Sequence, residues 1–369
     1  MVLSVAGNLT ILGRFTNWGD NTEGAVELLD GECSVGGDVA VQSLYSLSTV
    51  RLNSVGGSIL VQAGEFAPMG QDETKSALAV GGSVMIGGVN IQGGESWARF
   101  SPMGGALPEG AYLNPEYDPI TYDINVAQDI VTGVYGELRP STNPRLGGSV
   151  GFAAKNVTIH EGTAINAWAK GYEGGDFYGR RPPYVARFGG YGPGAGMAGS
   201  GASYGGYGAR GTGSSSAFVP ALYGDENHPN EAGSGGGAYG DFGGFGGGLV
   251  YLVVDGTVTL DGIINANGES RPLNSGGGGS GGGVYIYCKT LRGGENAFIS
   301  ADGGNPSMVY EGGAGGGGRV AVWYRYLDFD TAKVSVAGGV GKTEQTHTGT
   351  EGTVVFKVIP PSGTLILVR

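Results

Sequence analysis

Gly246-Gly-Gly-Leu-Val-Tyr-Leu-Val-Val254 returns as Gly281-Gly-Gly-Val-Tyr-Ile-Tyr-Cys288, as Gly317-Gly-Arg-Val-Ala-Val-Trp-Tyr324 and as Gly352-Thr-Val-Val-Phe-Lys-Val358. With Leu249, Val284, Val320 and Val354 taken as equivalent, the unit repeats at steps of 35, 36 and 34 residues. A second marker keeps the same period: Asn265-Ala-Asn-Gly268, Ser300-Ala-Asp-Gly303 and, more loosely, Val336-Ala-Gly-Gly339, at steps of 35 and 36. Inside a unit, Val284-Tyr-Ile-Tyr and Val320-Ala-Val-Trp alternate with period two, which sends one residue set inward and the other outward along a strand. So small a unit cannot bury its apolar face alone, so equivalent strands stack on one another. The expectation is an all-β chain forming a single elongated parallel β-helix (a β-solenoid), its rungs about 4.8 Å apart. Glycine at the corners supplies φ > 0 and lets successive backbones approach. An up-and-down barrel or propeller is the rival, but propeller blades run ~40–50 residues, and the shorter steps here favour a solenoid.

Working outward, Leu146-Gly-Gly-Ser-Val-Gly-Phe152 with Ile165-Asn-Ala-Trp168 looks like an earlier copy. A shorter cousin fills the N-terminal part: Ser34-Val-Gly-Gly-Asp-Val-Ala-Val-Gln42, Ser54-Val-Gly-Gly-Ser-Ile-Leu-Val-Gln62 and Ala79-Val-Gly-Gly-Ser-Val-Met-Ile-Gly87, with Ser4-Val-Ala-Gly-Asn-Leu-Thr-Ile11 as a fourth. The resulting division is short-repeat rungs over 1–100, a Tyr/Pro/Asp-rich excursion over 101–145 and one rung over 146–171. A Gly/Tyr/Arg-rich insertion follows over 172–244, then rungs of about 35 residues over 245–358 and a terminal strand or cap over 359–369. A long ordered insertion is usually functional. Tyr and Arg combine contact area with hydrogen bonding. Tyr172, Phe177, Tyr178, Arg180, Arg181, Tyr184, Arg187, Tyr191, Tyr204, Tyr207 and Arg210 are therefore its candidate partner-binding surface. The bland alternative is padding packed over the flank. After Pro360-Pro361, the run Leu365, Ile366, Leu367 and Val368 offers one more strand, which either covers its own last rung or pairs with a second copy.

Composition agrees. Of 369 residues 79 are Gly, which argues against helices as the main element, because each helical Gly costs about 1 kcal/mol relative to Ala. Hydrophobic residues make up 40% and charged ones 15%, the reverse of a disordered chain. No strict every-third Gly is kept, so collagen is out. The net charge of −12, without a Lys/Arg run, argues against nucleic acid. Cys33 and Cys288 form neither a disulfide framework nor metal-ligand spacing. No apolar run is long enough for a membrane span, and no signal peptide is expected in this chain.

Chemistry-bearing motifs are weak. At this glycine content roughly three to four GxGxxG matches arise by chance. Gly338-Gly-Val-Gly-Lys-Thr343 has Val336 where a phosphate loop needs its first Gly, and no helix follows. Gly278-Gly-Ser-Gly-Gly282 fits GxSxG without a strand-to-helix elbow, so Ser280 reads as a corner residue. The Gly runs 276–283 and 312–318 have no Asp spaced for a calcium nonapeptide. Corner Ca²⁺ through Asp255, Asp261 or Asp302 is unsupported by any motif, and no cofactor or metal site is expected. His160, His228 and His347 lie far apart, and the cluster Asp225-Glu-Asn-His228 reads as a solvated loop tip. Asp255, Asp261 and Lys155 are placed to face outward, but nothing pairs two carboxylates at glycosidase separation. No catalytic residue is assigned.

The runs Ile299-Ser-Ala-Asp-Gly-Gly304 and Gly315-Gly-Gly-Gly-Arg-Val-Ala-Val-Trp-Tyr324, closed by Glu351-Gly-Thr-Val-Val-Phe-Lys357, resemble the glycine-rich repeats of very large, adhesin-like surface or secreted proteins of environmental bacteria. The likeness covers about 245–369 well, 146–170 loosely and the insertion not at all. It implies a β-solenoid stalk with no catalytic residues. The expected function is that of a non-enzymatic, extracellular or cell-surface structural and adhesive protein. It would self-assemble end to end into a filament or appendage, with surface polysaccharide as a second kind of partner. A carbohydrate-active β-helix enzyme (lyase or hydrolase) and a trimeric phage-type receptor-binding fibre are the alternatives.

Overall fold

The computed structural model describes residues 3–5, 9–12, 28–68, 75–87, 98–108, 111, 118–181, 185–211, 218–271, 276–306, 312–341 and 347–360. Among them the chain is all-β: its strands pair with one another in parallel throughout. That is incompatible with the antiparallel meander of an up-and-down barrel or a propeller blade. No helix among the described residues is long and apolar enough to cross a membrane.

The pairings form three ladders, which the chain visits in turn. Ser76–Val80, Ile120–Val126, Ser149–Ala154 and Thr353–Val358 belong to the first. Val84–Ile86, Asp129–Thr132 and Asn156–Ile159 belong to the second. Ala98–Phe100, Gly136–Leu138, Ala164–Asn166, Ile263–Asn265 and Phe298–Ser300 belong to the third. The longer strands Leu249–Leu260, Gly283–Gly293 and Arg319–Asp328 run through the first ladder and, after a bulge or bend, the second.

Each ladder points one column of apolar side chains inward. In the first the column is Leu78, Ile124, Phe152, Leu252, Ile286, Val322 and Phe356. In the second it is Val39, Ile59, Val84, Ile130, Val157, Val258 and Leu291. In the third it is Phe66, Phe100, Leu138, Ile165, Ile264, Ile299 and Val334. The three columns meet in one continuous core. Each fully buried Val, Leu, Ile or Phe contributes roughly 1.5–3 kcal/mol.

The N-terminal Val-Gly-Gly-Asp/Ser template works through its first glycine and its final polar residue. A Cβ at Gly56 would overlap the carbonyl oxygen of Gly36, and one at Gly81 that of Gly56, so only Gly lets successive passes stack here. The polar residue after the Gly pair caps the next pass. Asp38 Oδ1 accepts from Ser58 N (2.7 Å), and Ser58 Oγ accepts from Ser83 N (3.1 Å). Ser83 Oγ accepts from Asp129 N (3.4 Å), Asp129 Oδ1 from Asn156 Nδ2 (2.8 Å), and Asn156 Oδ1 from Thr257 N (2.9 Å). This polar file links the N-terminal short repeats to the C-terminal long ones on the same ladders.

Three expectations change. The register runs Leu249 to Gly283 and Val250 to Val284, Val320 and Val354, so the true steps are 34, 36 and 34. Leu249 and Val250 are both buried, hence hydrophobicity alone did not fix the slip. Likewise Ser300 faces Ser335, so the third copy of the second marker begins there and not at Val336. Within 101–145, residues 120–138 supply a strand to every ladder, because Ile124, Ile130 and Leu138 hold the inward positions despite the lack of a visible period.

The longest connections between strands leave the ladders at one place, after the third and before the first. Residues 167–248, 266–282, 301–318 and 336–352 are such connections, and the glycine runs fall inside them.

Candidate binding cleft in the glycine-rich layer

The glycine-rich connections build a second layer without strand or helix, whose hydrogen bonds have a period of three. Along 277–282 the N–H groups of 277 and 280 donate to Gly237 and Ser234, those of 278 and 281 to Gly313 and Gly316, and those of 279 and 282 to Glu269 and Ala266. Along 313–318 they donate likewise to Gly199 and Ala202, to His347 and Thr350, and to Gly304 and Ala301. Three directions repeating every three residues, with no bond inside a segment, is the pattern of a threefold extended helix of the polyproline II kind surrounded by three neighbours. Apart from the small Ser280 and Ala314, side chains have no room in these runs. A Cβ at Gly278, Gly279, Gly281 or Gly282 would fall on the carbonyl oxygen of Gly304, Phe245, Ala301 or Gly248.

The corner role of glycine is therefore close approach. The positive-φ glycines among the described residues, such as Gly192 (φ 96°) and Gly199 (φ 81°), lie between 147 and 240, and none lies in the runs 276–283 or 312–318. Residues 172–211 and 232–247 are not padding over a finished flank: they supply neighbouring segments of the lattice, as in Tyr172 N to Gly233 O (3.0 Å) and Gly236 N to Gly244 O (2.8 Å). Arg319, the arginine of the repeat motif, staples layer to ladder. It is 6% exposed, donates from Nε and Nη2 to the Tyr223 carbonyl (3.0 and 2.8 Å) and from Nη1 to Thr353 Oγ1 (3.1 Å).

On this layer the insertion gathers a cluster of arginines, aromatics and carboxylates. Glu173 is buried and bridges Arg145 Nε (2.7 Å) and Arg181 Nη1 (3.3 Å). The hydrogen bond to Glu173 holds the Arg145 guanidinium above its usual range, whereas burial lowers that of Arg181 against the pull of Glu173. Asp176 caps the turn below, accepting from Tyr178 N (3.1 Å) and Arg181 N (2.6 Å). Arg180 pairs with Asp241 and lies over Phe242 (4.4 Å) and Tyr178 (4.9 Å), while Arg181 lies over Phe242 (4.0 Å) and Phe245 (4.8 Å). Phe177 packs edge-on against Tyr178, Phe188 and Tyr239.

Beside the cluster opens a cleft of about 530 Å³, lined by Arg145, Arg187 and Tyr191 and by the apolar Met197, Phe218 and Pro220. Arg187 stacks on the Tyr191 ring at 4.0 Å, with Arg145 5.7 Å from the same ring. Arg187 is held from behind, Nε donating to the Gly189 carbonyl (3.0 Å) and Nη2 to that of Gly190 (3.3 Å).

The structure thus brings together Phe177, Tyr178, Arg180, Arg181, Arg187 and Tyr191 from the sequence-derived set. Tyr172 is buried beneath Gly147 and Gly192. Tyr204 is fully buried against Tyr223 (4.6 Å) and Arg319 (5.4 Å), away from any surface. Tyr207 and Arg210 are exposed on a separate stretch where Tyr207 N donates to Thr350 Oγ1 (2.6 Å). Tyr184 and the run Leu365, Ile366, Leu367 and Val368 lie outside the described residues. Sequence reasoning missed Arg145, Glu173, Phe218 and Phe242; only the paired Arg-rich and Phe/Gly-rich stretches hinted at them.

Elsewhere, His160 Nδ1 bonds the Thr132 carbonyl (2.7 Å) and His228 Nε2 the Tyr251 hydroxyl (3.0 Å), while Asp302 Oδ1 caps Ala337 N (2.7 Å). Among the described residues no group of three or more His, Cys, Asp or Glu is placed to hold a metal ion. Lys155 and Asp255 line one shallow outward groove. Asp261 lines a different hollow, with Glu137 and Asn296. One unforeseen polar site faces outward from the first ladder, where Lys75 Nζ meets Asp118 (2.7 Å) and Asp123 (3.3 Å). No protein-family model, curated protein or solved structure matches this chain.

Proposed function

We propose that the chain is a parallel β-helix serving as a non-enzymatic structural and adhesive protein. The ladders act as a stiff rod, the glycine lattice fixes the insertion against it, and the arginine–aromatic surface engages a partner. The observation that carries this reading is the threefold hydrogen-bond lattice. It ties the insertion to the repeat's own glycine runs, so the binding side chains sit on a backbone with almost no freedom left to lose on association. Extracellular or cell-surface location and end-to-end self-association belong to the same reading, which the likeness to adhesin-type repeats supports.

The carbohydrate-active alternative finds its best foothold at Lys75, flanked by Asp118 and Asp123 near Tyr251. An elimination base needs a lowered lysine pKa. The hydrogen bond to Asp118 instead raises that of Lys75, keeping it cationic. The test combines an array of surface polysaccharides with reducing-end and unsaturated-uronate assays on the same samples. Binding without release of ends is expected, and release would overturn the non-enzymatic reading. Negative-stain electron microscopy across a concentration series tests self-association: filaments support it, and isolated rods throughout remove it.

A further inference from the structure

The chain carries 33 acidic and 21 basic residues, yet the cleft beside Tyr191 is lined by two arginines and by no carboxylate. Among the described residues Arg187 makes no ion pair, while Arg145, Arg180 and Arg181 each have one. Its bonds to Gly189 and Gly190 use Nε and Nη2 and leave Nη1 without a partner among those residues. Stacking on Tyr191 fixes the guanidinium plane. Arg145 is spent on Glu173 only through Nε. An Arg187 guanidinium fixed in this way, with Arg145 close to the same tyrosine ring, suits a planar carboxylate, which accepts such donors in charge-assisted pairs. Leu146, Met197 and Phe218, each 39–46% exposed, add an apolar wall. A cavity of about 530 Å³ holds a ligand of a few rings and not a folded surface.

We propose that this cleft binds the carboxylated sugar units of an acidic polysaccharide, the carboxylate paired with Arg187, the Arg145 charge adding to the attraction, and the pyranose face against Phe218. The inference rests on the adhesive reading above and names its ligand class. A sugar fits better than an acidic peptide because the glycine backbone lining the cleft is already committed to internal hydrogen bonds, as Gly190 N to Gly196 O (2.9 Å) and Gly196 N to Gly235 O (3.0 Å). Those backbone groups are not open to a peptide strand that would add to them.

The test is calorimetric titration of the full chain with trigalacturonic acid, the neutral galactose trimer and hexaglutamate. Trigalacturonate should bind, the neutral trimer should bind at least tenfold more weakly, and binding should fall as salt rises. Arg187→Gln and, in the apolar lining, Phe218→Ala should each weaken trigalacturonate roughly tenfold, at an unchanged melting temperature. If Arg187→Gln proves unstable, Phe218→Ala, at an exposed position, decides alone. Equal binding of the neutral trimer, or tighter hexaglutamate binding lost in Phe218→Ala, overturns the ligand class while the cleft survives as an adhesive site. Binding of none of the three, with array binding unaffected by Phe218→Ala, overturns the cleft as the adhesive surface too.

Discussion

Ser58 shows how much one position carries here. Its backbone N–H is capped by Asp38 and its hydroxyl caps Ser83, so it is one link in a file of polar groups joining successive passes. Ser58→Ala removes the acceptor and leaves the half-buried Ser83 amide without its partner, at a cost of about 1–2 kcal/mol. Asp38→Asn keeps an acceptor and is expected to cost far less. Urea titrations of both variants check this, and equal midpoints would mean that water replaces the side chain freely. The buried phenols and the thiol set the alkaline limit. Burial pushes the Cys288 thiol from 9.0 to about 12 and the Tyr285 hydroxyl from 10.0 to about 12, and it raises Tyr204 and Tyr223 as well. Between pH 9 and 12 the unfolded chain therefore releases protons that the folded chain retains, so it binds fewer and stability falls with rising pH. The Lys75 pair acts in the same direction, since a raised lysine pKa stabilises below 10.5 and its contribution is lost as pH climbs through the folded value. Thermal melts from pH 7 to 11 should show a plateau and then a decline beginning near pH 9. A melting temperature flat to pH 11 would contradict the burial of these groups.

At the scale of elements, strands and glycine runs were not equally legible in the sequence. Alternation exposed the strands, and the Val-Gly-Gly-Asp/Ser template gave the registers Ser34 to Ser54 to Ala79 correctly. The pass at 120–138 stayed hidden because no glycine run precedes its first strand and Val126-Ala-Gln-Asp129 stands where the template has Val-Gly-Gly-Asp/Ser, although its inward residues are spaced much as in the other passes. The lattice stayed hidden for a different reason: polyglycine has no side-chain periodicity to read, and its order lies wholly in backbone partners distant in sequence. Only the lack of room for a Cβ marks it, and that is a property of the neighbours. Gly281→Ala would set a methyl on the Ala301 carbonyl oxygen and should destabilise by at least the 1–3 kcal/mol typical of overpacking. A solvated glycine loop would tolerate or even gain from the same change. Hydrogen exchange makes the same distinction without mutation. The amides of 278–282 and 313–318 should be protected like those of the strands, and exchange within seconds would refute the lattice.

For the whole molecule, the ladders and the layer differ in dimensionality, and this decides which passes are dispensable. A ladder is a one-dimensional stack in which each pass touches only the next, so removing one complete pass allows its neighbours to close up. Deleting 56–80 joins Val55 to Gly81, brings Ser83 to Asp38 and Val84 to Val39, and preserves the Gly-Gly stack. That variant should fold and melt cooperatively at a modestly lower temperature. Deleting 284–319 also removes one complete pass, and Val250 would then meet Val320 without loss of register. It takes the run 313–318 with it, however. The amides of 278 and 281 lose their acceptors, and the carbonyls of Gly199, Ala202, His347 and Thr350 lose their donors, inside a layer where a Cβ at most glycines would strike a neighbouring carbonyl. Each such buried orphan costs about 1–3 kcal/mol, so several together exceed what a domain of this kind has in reserve. The second deletion should therefore lose cooperative unfolding or solubility while the first keeps both, as measured by circular dichroism melts. If both behave alike, the layer contributes no more than the loops of an ordinary stack, and the rigidity on which the proposed binding surface depends goes with it.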